Sequence, residues 1–96
     1  MSFKQTDSDK FPPDNELEYE HILALLEEGR EIEFKHKDQD YIIAYEKKGR
    51  AIWQETTQIS NYYGDRHKEI LDTAEIDGIK LTDLFKNKKA EITFIL

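Results

Sequence analysis

The periodic part of the chain begins with apolar residues spaced for a helix. Four of them recur at intervals of three and four residues and so share one helix face: Tyr19, Ile22, Leu23 and Leu26. The Asn15-x-x-Glu18 spacing is that of a capping box, which predicts a start at Asp14 or Asn15. Gly29 follows the apolar stripe and favours the left-handed conformation on which many helices end. We therefore predict an N-terminal helix that buries one face and stops at Gly29.

After this helix the apolar period changes to two, as in a strand. Residues 31–36 (EIEFKH) alternate between the two sides of a strand. Residues 41–45 (YIIAY) are apolar on both sides, which is typical of an interior strand, and residues 51–57 (AIWQETT) follow as a third. The turn sequences KDQD and KKGR separate these strands and predict an antiparallel meander. A fourth strand over residues 57–63 (TQISNYY) has a less regular pattern.

The second half of the chain predicts short helices and a last strand. Asp65 can cap a helix over residues 66–74, and Thr82 or Asp83 can begin another helical turn after the sequence IDG. The final residues, AEITFIL, alternate as a strand. This alternation places Ile92, Phe94 and Leu96 on one face, and Thr93 and Ile95 on the other.

Together these elements predict an α+β fold. It consists of an N-terminal helix, an antiparallel meander of three to four strands, one or two short helices and a C-terminal strand, with the helices on one face of the sheet. We predict a single domain over residues 14–96. Residues 1–13 are mostly polar and end in a diproline, which predicts a flexible N-terminal arm.

The second face of the predicted sheet needs a cover. The strands YIIAY and ITFIL are apolar on both faces, and Trp53 adds a large side chain. Because two-fold homodimers are the commonest oligomers, we predict a homodimer formed through the sheet, with the N-terminal arm as the alternative cover. The residues predicted for this dimer face are Tyr41, Tyr45, Trp53 and Phe94.

Charge is concentrated in one part of the chain. The formal net charge is −7. Eight acids and a single base, Arg30, lie between Asp14 and Glu33, and the other thirteen acids and thirteen bases cancel. Such a field repels nucleic acid and favours either a basic protein partner or simple solubility. We predict no nucleic-acid binding and a candidate interaction surface whose acidic part is Glu16, Glu20, Glu27 and Glu28.

Composition bears on the compartment. The chain contains no cysteine, which rules out disulfides and cysteine-based zinc sites and favours a reducing, cytoplasmic setting. No apolar run approaches the ~18 residues that a membrane-spanning helix needs, so we predict no membrane contact.

The densest polar cluster is NYYGDRHKE, residues 61–69. Tyrosine and arginine are typical contact residues, so this cluster is predicted to complete the interaction surface. An alternative is a small hydrolase in which Asp65 and His67 form an acid–base pair. Neighbouring side chains at a helix start point in different directions, however, and the chain has no nucleophile motif. We therefore predict that the protein is not an enzyme. The predicted contact residues of the cluster are Tyr62, Tyr63, Asp65, Arg66 and His67.

Two patterns have metal-site spacing but favour a structural interpretation. His36, Asp38 and Asp40 alternate in a turn, where aspartate is common because its side chain bonds the backbone. Glu18 and His21 have the spacing of di-iron helices but lack a second such pair. We predict no metal and no cofactor.

Three runs together resemble a known sequence pattern. GREIEF, then DYIIAY followed by KKG, and later AEIDGIKLTDLF are similar to small uncharacterised proteins of Gram-positive bacteria, of the kind found in phage or mobile-element neighbourhoods. The resemblance spans residues 23–85 and rests on turn and core positions. It implies no catalytic residues and no assigned activity.

The leading hypothesis from the sequence is a small, non-enzymatic cytoplasmic protein-interaction or regulatory module. The second is functional mimicry, in which the acidic segment inhibits a DNA-binding partner by presenting nucleic-acid-like charge. The third is the hydrolase that uses Asp65 and His67.

Overall fold

The structure, a computed structural model, describes residues 17–96. Within them the chain is an α+β protein with a five-stranded antiparallel sheet and three helices, which confirms the predicted class. The helices are α1 (Tyr19–Glu27), α2 (His67–Thr73) and α3 (Leu81–Lys86). The strands are β1 (Ile32–His36), β2 (Gln39–Glu46), β3 (Gly49–Gln54), β4 (Thr57–Gln58), β5 (Glu75–Ile76), β6 (Ile79–Lys80) and β7 (Glu91–Ile95).

The sheet has the strand order β4-β3-β2-β1-β7. Strands β1 to β4 form the predicted meander, and β2 is an interior strand as its apolar sequence indicates. Strand β7 returns from the far end of the chain to pair with β1. Strands β5 and β6 form a separate small hairpin. The outer side of β7 is an edge of the sheet within residues 17–96.

Two-residue turns set the register of two hairpins. Lys37 and Asp38 join β1 to β2 with φ of 51° and 64°, and Asp77 and Gly78 join β5 to β6 with φ of 57° and 77°. Positive φ at both central residues matches the right-handed twist of the strands. The turns therefore place Phe34 opposite Tyr41 on the inner face of the sheet.

Helix α1 begins at Tyr19 and ends before Gly29, which has the predicted positive φ of 87°. Its N-cap is Glu18, whose backbone N–H donates to His21 Nδ1 at 3.0 Å. The Glu18–His21 spacing thus serves helix capping. The helix therefore starts later than predicted, since Glu18 has an extended backbone and is the cap in place of Asp14 or Asn15. Positions 14 and 15 themselves, like the predicted arm, lie outside the described residues.

The core lies between the sheet and the described helices. Buried side chains of α1, α2 and α3 form one cluster with Ile32, Phe34, Ile43 and Ile52 of the sheet. The prediction that every helix lies on this face stays a prediction, since it also concerns residues before position 17. No helix of the described part is long and apolar enough to cross a bilayer.

The alternation predicted for the last strand is wrong. The register between β1 and β7 shifts between Glu33 and Phe34, so that Phe34 pairs with Ile92 while Glu33 pairs with Phe94. Such a bulge inserts one residue and reverses the faces beyond it. Ile92 therefore points into the core, whereas Phe94 is 54% exposed on the other face.

The predicted fourth strand is much shorter than residues 57–63. The ladder stops after Gln58 because the Ile52 N–H donates to the side-chain Oγ of Ser60 at 2.8 Å instead of to a backbone carbonyl. The chain then follows β3 irregularly: Tyr63 N–H donates to Arg50 O, and Arg50 N–H donates to Gly64 O. This path brings residues 62–67 against the start of β3.

Candidate functional site

The most unusual buried group is the guanidinium of Arg50, the second residue of β3. Its side chain is fully buried. Nη2 donates to Leu26 O at 2.8 Å, Nη1 to Ile43 O at 3.4 Å, and Nε to His67 Nδ1 at 3.0 Å. One side chain thus joins the end of α1, strand β2 and the start of α2.

No acidic side chain within residues 17–96 forms an ion pair with Arg50, and its charge is stabilised by other groups. The guanidinium lies 4.4 Å from the ring centre of Tyr45 and bonds a carbonyl at the C-terminal end of α1, where the helix dipole favours a cation. Burial lowers the pKa of Arg50 to about 10, while Glu31, Tyr45 and Asp65 act to raise it. Arg50 therefore stays protonated at neutral pH.

His67 is held as a neutral imidazole. Since Arg50 Nε can only donate, Nδ1 of His67 carries no proton and the ring N–H is on Nε2. Burial lowers the pKa of His67, and the charge of Arg50 lowers it further. The imidazole also meets Tyr45 edge to face at 5.3 Å.

Tyr45 connects this group to the preceding loop. Its hydroxyl donates to the carboxylate of Asp65, a bond that raises the pKa of Tyr45. Its backbone N–H donates to Glu31 Oε2 at 2.8 Å. We call Tyr45, Arg50, Asp65 and His67 the Arg50 cluster.

A shallow cleft of about 510 Å³ borders this cluster. Four charged side chains on its wall form two ion pairs: Arg66 with Glu69 at 3.0 Å, and Lys68 with Asp72 at 2.6 Å. The lining consists of Glu27 from α1 together with Asp65, Arg66, His67, Lys68, Glu69, Asp72 and Thr73.

Asp65 and His67 line the same cleft but do not form the dyad of the hydrolase hypothesis. The carboxylate of Asp65 accepts from Tyr45, and Nδ1 of His67 accepts from Arg50. A histidine whose free nitrogen already accepts a hydrogen bond is poorly placed to remove a proton from a substrate. The arrangement orders the loop rather than presenting a base.

The tyrosines and arginine predicted as contact residues have partners within the chain. Arg66 lies 5.4 Å from the ring of Tyr63, and Tyr63 Oη is 3.1 Å from Thr73 Oγ1. Lys48 Nζ is 5.7 Å from the ring of Tyr62. These contacts hold the loop in place, so the cluster is at least in part structural.

The acidic segment divides between different surfaces. Glu20, Glu27 and Glu28 are exposed on or directly after α1, and Glu16 lies outside the described residues. Glu31 instead accepts the Tyr45 N–H, and Glu33 lies on the sheet. The charge that is continuous in sequence is therefore not one continuous patch among the described residues.

The HKDQD turn separates its candidate ligands. His36 is buried, with Nδ1 2.8 Å from Lys89 O and Nε2 3.4 Å from Asp77 Oδ2. Asp40 pairs with Lys35 at 3.1 Å, on strand positions of the opposite face. Among residues 17–96, no three histidine, cysteine or acidic side chains are placed to hold a metal.

The four residues predicted for the dimer face do not share one face. Tyr41 is buried and stacks on Phe34 in the core at 5.4 Å, and Tyr45, four residues further along β2, points to the same side. Trp53 pairs with Ile42, and Phe94 pairs with Glu33. Because Glu33 also pairs with Ile42, one row crosses the outer face of the sheet. We call this the outer row: Phe94, Glu33, Ile42 and Trp53.

Sequence reasoning missed Arg50, which it assigned to a turn. One feature of the sequence does indicate that Arg50 is buried. Arg50 is two residues before Ile52, so the alternation of β3 places both on the inner face. A charged side chain at an inner position indicates a specific set of partners.

Comparisons with protein-family models, curated proteins and solved structures give no match for this chain. The resemblance to small Gram-positive proteins stays a hypothesis.

Proposed function

We propose that this chain is a small, non-enzymatic protein-interaction module of the cytoplasm that forms a homodimer through the outer row. The observation that carries the proposal is the row itself. It places three large apolar side chains, Phe94, Ile42 and Trp53, across one face of the sheet, and none of them belongs to the buried core cluster.

The exposure and position of Phe94 support this surface. The side chain is 54% exposed on β7, the strand at the edge of the sheet. Aromatic residues are enriched in the central parts of protein interfaces. An edge strand also presents unpaired backbone groups to which another strand can bind. A second copy would supply both an apolar face and an edge.

The indole N–H of Trp53 does not itself point to a partner. Its Nε1–H is removed from solvent and has no acceptor within residues 17–96. A buried unpaired donor costs about 1–3 kcal/mol. Because a donor without solvent contact is also out of reach of a docking partner, Trp53 contributes to the proposed interface only through its apolar ring.

The first test is the mass of the protein in solution. We expect light scattering to give a dimer at tens of micromolar, at low and at high salt, because an apolar interface is not screened. Phe94→Lys is expected to weaken association by roughly tenfold or more, since it replaces the exposed aromatic side chain of the contact with a charge.

The matched control is Ile59→Lys. Ile59 is 38% exposed and follows β4, at the opposite edge of the sheet, so this variant is expected to remain a dimer. Trp53, the only tryptophan, should change its emission when the wild type is diluted. A monomeric wild type at these concentrations, or equal weakening by both substitutions, would refute the proposal.

The proposal retains several features expected from the sequence: helices on one face of the sheet, leaving the other for the partner, and a basic protein as a further partner of the acidic residues. The acidic-mimic and hydrolase hypotheses stay predictions from the sequence. No described contact favours either, since the acidic segment is divided and Asp65 and His67 have separate partners.

A further inference from the structure

The hydrogen bond between Arg50 and His67 can form only when the His67 imidazole is neutral. Arg50 Nε donates to His67 Nδ1 at 3.0 Å. If Nδ1 gains a proton, two N–H groups and two positive charges face each other across this distance. Because Arg50 cannot act as an acceptor, the hydrogen bond must break.

The groups around His67 come from four parts of the chain. Arg50 of β3 and the edge of Tyr45 of β2 contact the ring. Asp65 of the preceding loop and Glu27 of α1 act on it as negative charges. Arg50 therefore opposes protonation, whereas Asp65 and Glu27 favour it.

The cleft offers the protonated His67 side chain an alternative position. His67 is half-buried and already lines the cleft, together with Glu27 and Asp65. Rotation toward the cleft would exchange a cation neighbour for two carboxylates. The exchange would leave Arg50 bonded to Leu26 O and Ile43 O, but no longer to α2.

We propose that His67 is a pH-sensitive contact: in mild acid its imidazole leaves Arg50, turns toward Glu27 and Asp65, and loosens the start of α2 from the sheet. The affected segment is residues 65–70, and the cleft beside α1 changes shape. This inference concerns the helix side of the molecule and does not depend on the proposed homodimer.

The direction of the pH effect on stability follows from linkage. The ordinary pKa of histidine is 6.5, and burial and Arg50 lower it in the folded protein. The unfolded chain thus binds a proton that the folded chain does not, between the lowered pKa and 6.5. The stabilisation that the neutral His67 gives the folded protein is fully present above pH 6.5. It is lost as the pH falls toward the pKa of His67 in the folded state.

The test compares the wild type with His67→Asn. The asparagine Oδ1 lies as many bonds from Cα as Nδ1 and can accept from Arg50, but it does not titrate. We expect the unfolding equilibrium constant of the wild type to rise with falling pH more steeply than that of the variant, by up to tenfold per pH unit for one proton. The protection factors of the amides of residues 65–70, which correct for the intrinsic pH dependence of exchange, should fall in acid only in the wild type.

His21→Asn is the matched control, because His21 Nδ1 also accepts a backbone N–H. This variant should retain the loss of protection of residues 65–70 in acid. Equal pH slopes for the wild type and His67→Asn would overturn the proposal. If His67→Asn does not fold, NMR titration of the wild-type imidazoles decides: a His67 that carries a proton on Nδ1 at pH 7, or titrates without affecting residues 65–70, overturns it.

Discussion

Replacing Gly49 with alanine is expected to destabilise the fold by on the order of 3 kcal/mol. Gly49 begins β3 with φ of 108°, and a Cβ there would lie 2.3 Å from the Cα of Gly64 and 2.6 Å from its nitrogen. Positive φ alone costs about 1–2 kcal/mol for a residue with a Cβ. The backbone clash adds a cost typical of overpacking, about 1–3 kcal/mol.

The clash also has a specific consequence. The Gly64 backbone must move away, which breaks the bond from Arg50 N–H to Gly64 O and displaces Asp65 and His67 from the Arg50 cluster. Urea unfolding followed by Trp53 fluorescence measures the effect. The Gly49→Ala midpoint should fall far below that of the wild type.

Gly78→Ala is the control for this prediction. Gly78 also has positive φ, 77°, but a Cβ there meets nothing within 4 Å. Gly78→Ala should therefore lose only the free energy that positive φ costs a residue with a Cβ. Equal losses for Gly49→Ala and Gly78→Ala would show that the close approach of the two backbones is unimportant for stability.

Replacing Arg50 with alanine is expected to cost about 3 kcal/mol. The substitution opens a cavity and leaves His67 Nδ1 without its donor, and an unsatisfied buried group costs about 1–3 kcal/mol. Leu26 O loses the guanidinium but keeps the Gly29 N–H at 2.9 Å. Release of the buried charge from its desolvation penalty offsets part of this loss. Denaturant unfolding again provides the measurement.

Arg50→Lys separates charge from geometry. Lysine retains the cation but lacks the planar set of donors that reaches three acceptors in different directions. We expect a loss of stability in Arg50→Lys as well. The pKa of His67 should rise in Arg50→Ala, where the neighbouring charge is gone, and less in Arg50→Lys. A lysine variant as stable as the wild type would contradict the role given to the guanidinium.

Local patterns predicted much of this fold. Helix α1 and its end at Gly29, the meander and the interior position of β2 follow from periodicity and turn residues that are close in sequence. The bulge in β7 was not predictable in this way. It depends on how β7 pairs with β1, and the alternation of AEITFIL contains no sign of an inserted residue.

The Arg50 cluster was less accessible to sequence reasoning. The NYYGDRHKE run drew attention to Asp65 and His67, but their partners, Tyr45 and Arg50, lie on two strands distant in sequence. Only the three-dimensional path after β4 brings them together. The run was therefore predicted as a contact loop or catalytic pair, whereas its side chains largely hold the fold.

The pairing of β1 with both β2 and β7 has a consequence for the order of folding. The turn from β1 to β2 closes a very short loop, whereas β7 pairs Phe94 with Glu33 across most of the described chain. Closing longer loops costs more chain entropy, so non-local pairs form late. We therefore expect the meander to assemble first and β7 to dock last. An intermediate without β7 would leave the edge of β1 open, which makes this late docking the step at which the chain is most exposed to aggregation.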